Sequence, residues 1–315
     1  SKKDLRVDKH SFSEPHNVLT THLDLDVNVD FEKEVISGVA KYQIDNKTAS
    51  KHLILDANGL IIDKVTSTGL ECTFTLSKKD SILGQALIID IAKEATEVSI
   101  HYQSAPNAKA LQWLNPKQTA GKEQPFLFTQ SQAILARTWL PCQDSPGVRF
   151  SYNATVKVPS NLMAVMSAEN PTEKSNDGIY HFKMKQAIPA YLMALGVGNL
   201  EFQNLGEHTG IYAEPEMIEK AAYEFAETED MLKIAEEMYG KYAWDRYDML
   251  LLPPSFPFGG MENPRLTFVT PTILAGDRSL TALIAHELAH SWSGNLVTNK
   301  TWDDFWLNEG FTVYF

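Results

Sequence analysis

The run His286-Glu287-Leu288-Ala289-His290 sets two imidazoles four residues apart with a carboxylate between them. On an α-helix that spacing puts both rings on one face, so the pair can present nitrogens to a single cation while Glu287 projects beside them. Two neutral nitrogens with an adjacent carboxylate base are the parts of zinc-dependent hydrolysis, in which the metal activates a water and the base takes its proton. Such a site uses a third protein ligand and keeps a fourth position open. Glu309 follows His290 after 18 intervening residues. Asn308 can cap a second helix there, leaving Glu309 in its first turn, where the positive dipole end favours the ionised carboxylate a metal requires. The competing pattern HExxHxxGxxH fails, because Ser293 and Leu296 stand at its glycine and histidine positions.

The elements that must position these groups can be read from periodicity. Ser279 or Asp277 can cap the motif helix, Leu280, Leu283, Ile284 and Leu288 give it an apolar stripe, and Gly294 suits a C-terminal left-handed residue. Upstream, residues 215–239 read as one helix ended by Gly240, with Met217, Ala221, Phe225, Leu232, Ala235 and Met238 near helical spacing. Strands are expected at 247–252 and 266–269, separated by Pro253-Pro254 and a Gly-rich segment. This half reads as a mixed α+β domain, residues 207–315.

Residues 1–206 read differently. Leu23, Leu25, Val27 and Val29 alternate, as do Val98 and Ile100, Val156 and Val158, and Tyr180, Phe182 and Met184. Turn signals at Asp45-Asn46, Asn58-Gly59, Pro159-Ser160-Asn161 and Asn176-Asp177-Gly178 fall between the runs, which predicts an all-β domain.

Composition narrows the function classes. The 315 residues carry 40 acidic and 28 basic side chains, a formal charge of −12 that argues against nucleic acid as a partner. Cys72 and Cys142 lie far apart without CxxC spacing, giving neither a disulfide framework nor a cysteine metal site. No apolar run approaches the roughly 20 residues that span a membrane. The polar start Ser1-Lys2-Lys3-Asp4 is no signal peptide, so a cytoplasmic protein is expected, although the missing initiator methionine is compatible with a removed leader. A helix starting near Asn308 has seven residues after it before Phe315, too few to be stable alone. The sequence is therefore expected to be part of a longer protein.

Gly259-Gly260-Met261-Glu262-Asn263 is the second informative stretch. Paired glycines let backbone approach a ligand, and an edge strand here could pair with an extended peptide. Glu262 near a zinc site could hold a free α-ammonium group and so restrict cleavage to the first peptide bond. From the residues alone, a tight turn with a solvated glutamate is the plainer alternative.

Taken jointly, this glycine-rich stretch, the HExxH run and Glu309 at its spacing resemble the gluzincin aminopeptidases, the family of aminopeptidase N. The strings PSFPFGGMENP at 254–264, GNLVTNKTW at 294–302, QSQA at 130–133 and LPCQD at 140–144 are similar to its leukotriene hydrolase branch. The resemblance implies a multidomain protein: an N-terminal saddle-like all-β domain, then a thermolysin-like α+β catalytic domain truncated here before a helical C-terminal domain. It further implies one Zn²⁺ held by His286, His290 and Glu309, with Glu287 as general base. Glu262 would hold the amino terminus of a short peptide, helped by Gln132, while Gly260 and Met261 align the substrate backbone. Phe258 would line the first specificity pocket, in place of the branch's usual tyrosine. The oxyanion-stabilising tyrosine is expected beyond Phe315, Tyr314 being too close to the ligand. Epoxide hydrolysis of a fatty acid is a second activity the branch allows, and a non-catalytic peptide-binding fragment is the reading from another class.

Overall fold

A computed structural model describes residues 8–254, 260–271, 279–296 and 301. Phe258, Glu309, Asn308 and Tyr314 lie outside the described residues.

Up to Gly198 the described chain is all β apart from short 3₁₀ turns. Its main sheet has seven strands, in the order Ile179–Ile188, Phe150–Lys157, Val18–Asp30, Val35–Asn46, Glu97–Gln103, Ile61–Ser67 and Leu70–Cys72. The expected alternation holds: Leu23, Leu25, Val27 and Val29 are each at most 3% exposed, while Asp26 and Asn28 between them face water. Strand Val18–Asp30 pairs antiparallel with Val35–Asn46 and parallel with Phe150–Lys157. The first pairing depends on Gly38 (φ 155°), where a Cβ would stand 1.9 Å from the Asp26 carbonyl oxygen. The turn signalled at Asp45-Asn46 begins one step later. Asn46 is the last residue of its strand, and its side chain bridges the turn by accepting from Ser50 N and donating to Ser50 O, both at 2.8 Å.

Two smaller sheets complete this part: His52–Ala57, Gln85–Asp90 and Phe74–Leu76; and Met163–Met166, Leu195–Gly198, Phe126–Thr129 and Leu111–Leu114. The strand His52–Ala57 joins a buried ionic network through Asp56. Arg137 Nε donates to Asp144 Oδ2 at 3.0 Å, and its other nitrogens donate to the carbonyls of Leu83, His10 and Asp144. Asp56 accepts from Ser11 Oγ, Phe12 N and Asp144 N.

The second part is built on a five-stranded mixed sheet: Glu201–Asn204, Thr209–Ala213, Tyr247–Leu251, Leu266–Val269 and the short edge strand Gly260–Met261. Strands Tyr247–Leu251 and Leu266–Val269 pair in parallel and are buried along their whole length, as a sheet covered on both faces requires. The single helix read over residues 215–239 is two, α1 (Pro215–Glu224) and α2 (Thr228–Tyr239). The break follows from Thr228, whose hydroxyl and N–H both donate to the Phe225 carbonyl and so draw it out of the helical ladder. Gly240, at φ 103° and ψ −179°, ends α2 in a conformation open essentially to glycine alone. Helix α3 (Ser279–Ala289) carries the HExxH run as far as Ala289, with His290 in the turn that follows, and packs beside α2 and the edge strand.

The two parts meet over apolar surface and polar ties. The Phe128 and Phe268 rings make an edge contact at 6.4 Å, and Gly196 leaves room for the Leu250 side chain. Lys185 and Gln186 of the large sheet both reach Asp245 Oδ2 at 3.2 Å, and Arg149 donates to the Leu296 carbonyl at 3.3 Å.

Candidate active site

Helix α3 presents its buried side, with Ile284 and Leu288 each 2% exposed, to the mixed sheet, and the metal-type residues follow from that orientation. Glu287 and His290 are buried, while His286 is half-buried one turn earlier, its ring centroid 4.8 Å from that of His290 and nearly perpendicular to it. Past Ala289 the helix gives way to turns closed by Ser291 N on Leu288 O and Ser293 N on Ala289 O. That unwinding brings the Ser293 carbonyl within 2.9 Å of His290 Nδ1. A carbonyl only accepts, so Nδ1 carries a proton, which leaves Nε2 as the nitrogen a cation would take.

The edge strand brings the second carboxylate. Glu262, Glu287 and His290 offer ligand-type atoms that all lie within 4.8 Å of one another, and all three are buried. Gly260 makes the approach possible, since a Cβ there would stand 3.1 Å from both Glu287 Oε1 and the Phe268 carbonyl. The Glu262 backbone oxygen accepts from Asn295 Nδ2 at 2.9 Å, but its side-chain Oε1 is buried with no hydrogen-bond partner among the described residues. Burying a carboxylate oxygen without a donor is costly, so the arrangement favours a cationic ligand. The solvated-turn alternative for Glu262 does not hold, its residue being 4% exposed.

Four neighbours that the sequence did not single out shape the pocket. Tyr247 is buried; burial first, with the charges of Glu287 and Glu262 adding to it, pushes its hydroxyl well above the usual phenol range, so it remains protonated. Arg265, in a left-handed conformation at φ 67°, closes the turn after Glu262 by donating to Trp244 O at 3.0 Å and Asp245 Oδ2 at 3.2 Å. Trp244 Nε1 in turn donates to Ser291 O at 3.0 Å, fixing the end of the metal-type helix. Asn295 is the fourth. None of them has a spacing signature, since each acts through a contact distant in sequence.

Gln132 is half-buried in the loop after strand Phe126–Thr129, with no hydrogen bond to Glu262 among the described residues. Met261 is buried and pairs with Phe268 at the edge of the sheet. A groove of about 440 Å³ between α2 and α3 is lined by Met231, Met238, Tyr239, Ala285 and His286, without Glu262 or Glu287 among its walls.

The donor chemistry fits a zinc ion: an imidazole whose Nδ1 is held by a carbonyl, a second imidazole one turn away, and carboxylates close by. The third ligand expected at Glu309 lies outside the described residues.

Comparison with known proteins gives the family. Residues 19–192 match the family described as Peptidase M1 N-terminal domain, and residues 223–315 match the Peptidase family M1 domain. The chain is 49% identical to leukotriene A-4 hydrolase of Xenopus laevis over 98% of its own length and 52% of that protein's. It is 48% identical to aminopeptidase B of Homo sapiens over 73% of this chain and 36% of that one. Native leukotriene A4 hydrolase from Saccharomyces cerevisiae superposes with a TM-score of 0.92 at 38% identity, covering all of this chain and 50% of that chain. The chain thus spans about half the length, or less, of the relatives it matches. With the N-terminal match alone taking in more than half of its residues, the chain belongs to the M1 peptidase family.

Proposed function

We propose that the protein is a zinc-dependent aminopeptidase that releases the first residue of short peptides with a free amino terminus. The observation that carries this reading is the buried Glu262 carboxylate, with Oε1 unpartnered among the described residues, beside Glu287 and His290. His286, His290 and Glu309 would hold the metal. Bound there, zinc would polarise the scissile carbonyl and lower the pKa of a water. Glu287 takes the proton of the attacking water and passes it to the leaving amine. Glu262 pairs with the substrate's α-ammonium, aided by Gln132, and this charge-assisted contact fixes where the peptide must end. Gly260 and Met261 lie on a sheet edge suited to an extended substrate backbone, and Phe258 is assigned to the side-chain pocket.

The test uses zinc content by atomic absorption and hydrolysis of leucine p-nitroanilide against its N-acetyl derivative. Cleavage of the free amine alone supports the reading; equal cleavage of the acetylated compound contradicts the role of Glu262. Zinc absent and no turnover would favour a peptide-binding fragment. Similarity to a leukotriene A-4 hydrolase favours a second reading, opening of a fatty-acid epoxide in the same site, which turnover of such an epoxide would establish.

A further inference from the structure

We propose that Asn295 is a positioning residue that sets the span between the amine-binding carboxylate and the metal-binding helix. This inference rests on the proposed role of Glu262. An exopeptidase of this kind must hold two points of its substrate at once, the ammonium and the scissile carbonyl, and the distance between them decides which bond is cut. Here the two points belong to segments 24 residues or more apart in sequence, the turn at Glu262 and the end of α3.

Asn295 joins them directly. Its backbone N–H donates to His290 O at 2.9 Å, and its side-chain Nδ2 donates to Glu262 O, also at 2.9 Å. The residue is 2% exposed, so neither bond competes with bulk water. The amide orientation is fixed by its partner, because a carbonyl oxygen requires the nitrogen side of the asparagine. Gly294, at φ 117°, supplies the backbone turn that aims Asn295 back at the helix end. One residue thus holds the backbone of a metal-type histidine and the backbone of the amine anchor in a single two-bond brace.

The brace predicts a defect in reach rather than in metal content. Asn295→Ala keeps the backbone N–H that bonds His290 O, so it removes only the side-chain bond. Asn295→Asp opposes two oxygens in nearly the same shape. The probes are leucine hydroxamate, its β-homologue with the amine one carbon farther from the metal-binding group, and the N-acetyl derivative, each titrated by calorimetry into the zinc-loaded chain. The wild type is expected to prefer the α-amine. Both variants should bind zinc at wild-type stoichiometry yet lose about fivefold of the α-over-β preference, the worth of one hydrogen bond, with affinity for the acetylated probe unchanged. An unaltered α-over-β ratio in both variants, a wild type indifferent to the extra carbon, or loss of zinc from the variants would each overturn the brace. Glu262→Gln run in parallel separates the failures. If it keeps the preference for the free amine over the acetylated probe, the amine-anchor reading falls and the brace with it. If it loses that preference while the Asn295 variants keep their ratio, the brace alone falls.

Discussion

At the scale of single residues, the site depends on how closely Glu287 can lie against backbone. Gly260 leaves 3.1 Å between a notional Cβ and both Glu287 Oε1 and the Phe268 carbonyl. Gly260→Ala is therefore expected to fold while displacing the Glu287 carboxylate by a few tenths of an ångström. The expected result is a reduced kcat at unchanged zinc stoichiometry, with the thermal midpoint close to wild type; an unchanged kcat would show that the glycine serves the strand alone. Glu287→Gln is the sharper change, since the amide keeps the shape and loses the proton acceptor. General-base catalysis supplies about 10²–10⁴-fold, so kcat should fall by at least about 100-fold while zinc, measured by atomic absorption, stays bound. His290 has a built-in check of its tautomer: with Nδ1 tied to Ser293 O at 2.9 Å, its Nδ1 proton should exchange slowly and give a resolved NMR signal.

At the scale of elements, the turn Trp244-Asp245 acts as a knot among three structures. Trp244 holds the end of α3 through Ser291 O, Arg265 holds the turn after Glu262, and Lys185 and Gln186 bring in the large sheet. Trp244 is 2% exposed, so Trp244→Phe leaves a buried carbonyl without its donor and a small void besides. A loss of about 1–3 kcal/mol in denaturant stability is expected, and stability within a few tenths of wild type would show that the bond carries nothing. This knot also marks the limit of what periodicity reveals. The α3 stripe, the alternation of Leu23 through Val29 and the strands around the edge segment were all legible, because each is a local pattern repeated at a fixed spacing. The break at Phe225–Thr228 was not, since one threonine hydroxyl competing for one carbonyl leaves the apolar period intact. Among the site residues, His286, Glu287 and His290 announce themselves by spacing. For Glu262 it took the burial of its turn to set aside a solvated glutamate. Arg265 and Tyr247 act only through contacts made by folding, and although Asn295 lies in the string GNLVTNKTW, no spacing there announces its contact with Glu262.

At the scale of the whole molecule, the β part is held by a network whose charges do not balance. Arg137, Asp56 and Asp144 are each at most 1% exposed, so one guanidinium faces two carboxylates away from water. Burial, reinforced by Asp56 and opposed by Arg137, pushes Asp144 up to about 6, and burial also raises Asp56. An aspartate in the unfolded chain titrates near 3.9. Between about pH 4 and pH 6 the folded protein therefore binds more protons than the unfolded one, and stability from this group falls as pH rises. The contribution is fully present below about pH 4, is lost through pH 6, and is bounded by about 3 kcal/mol for a shift of this size. Asp80, Glu229 and Asp245 are shifted downward and give slopes of the opposite sign, so the total profile of the wild type does not isolate the effect. Asp144→Asn does isolate it, because the amide oxygen can still accept from Arg137 Nε at the 3.0 Å position while the titration is gone. The thermal midpoint of the variant relative to wild type should rise from pH 4.5 to pH 7, and a difference that stays flat would mean the network holds no extra proton. The same network gathers the residues 10–12 stretch, the His52–Ala57 strand and the loop of Arg137 and Asp144. Limited proteolysis near the N-terminus of the wild type should therefore quicken over the same pH interval, whereas in the asparagine variant it should not.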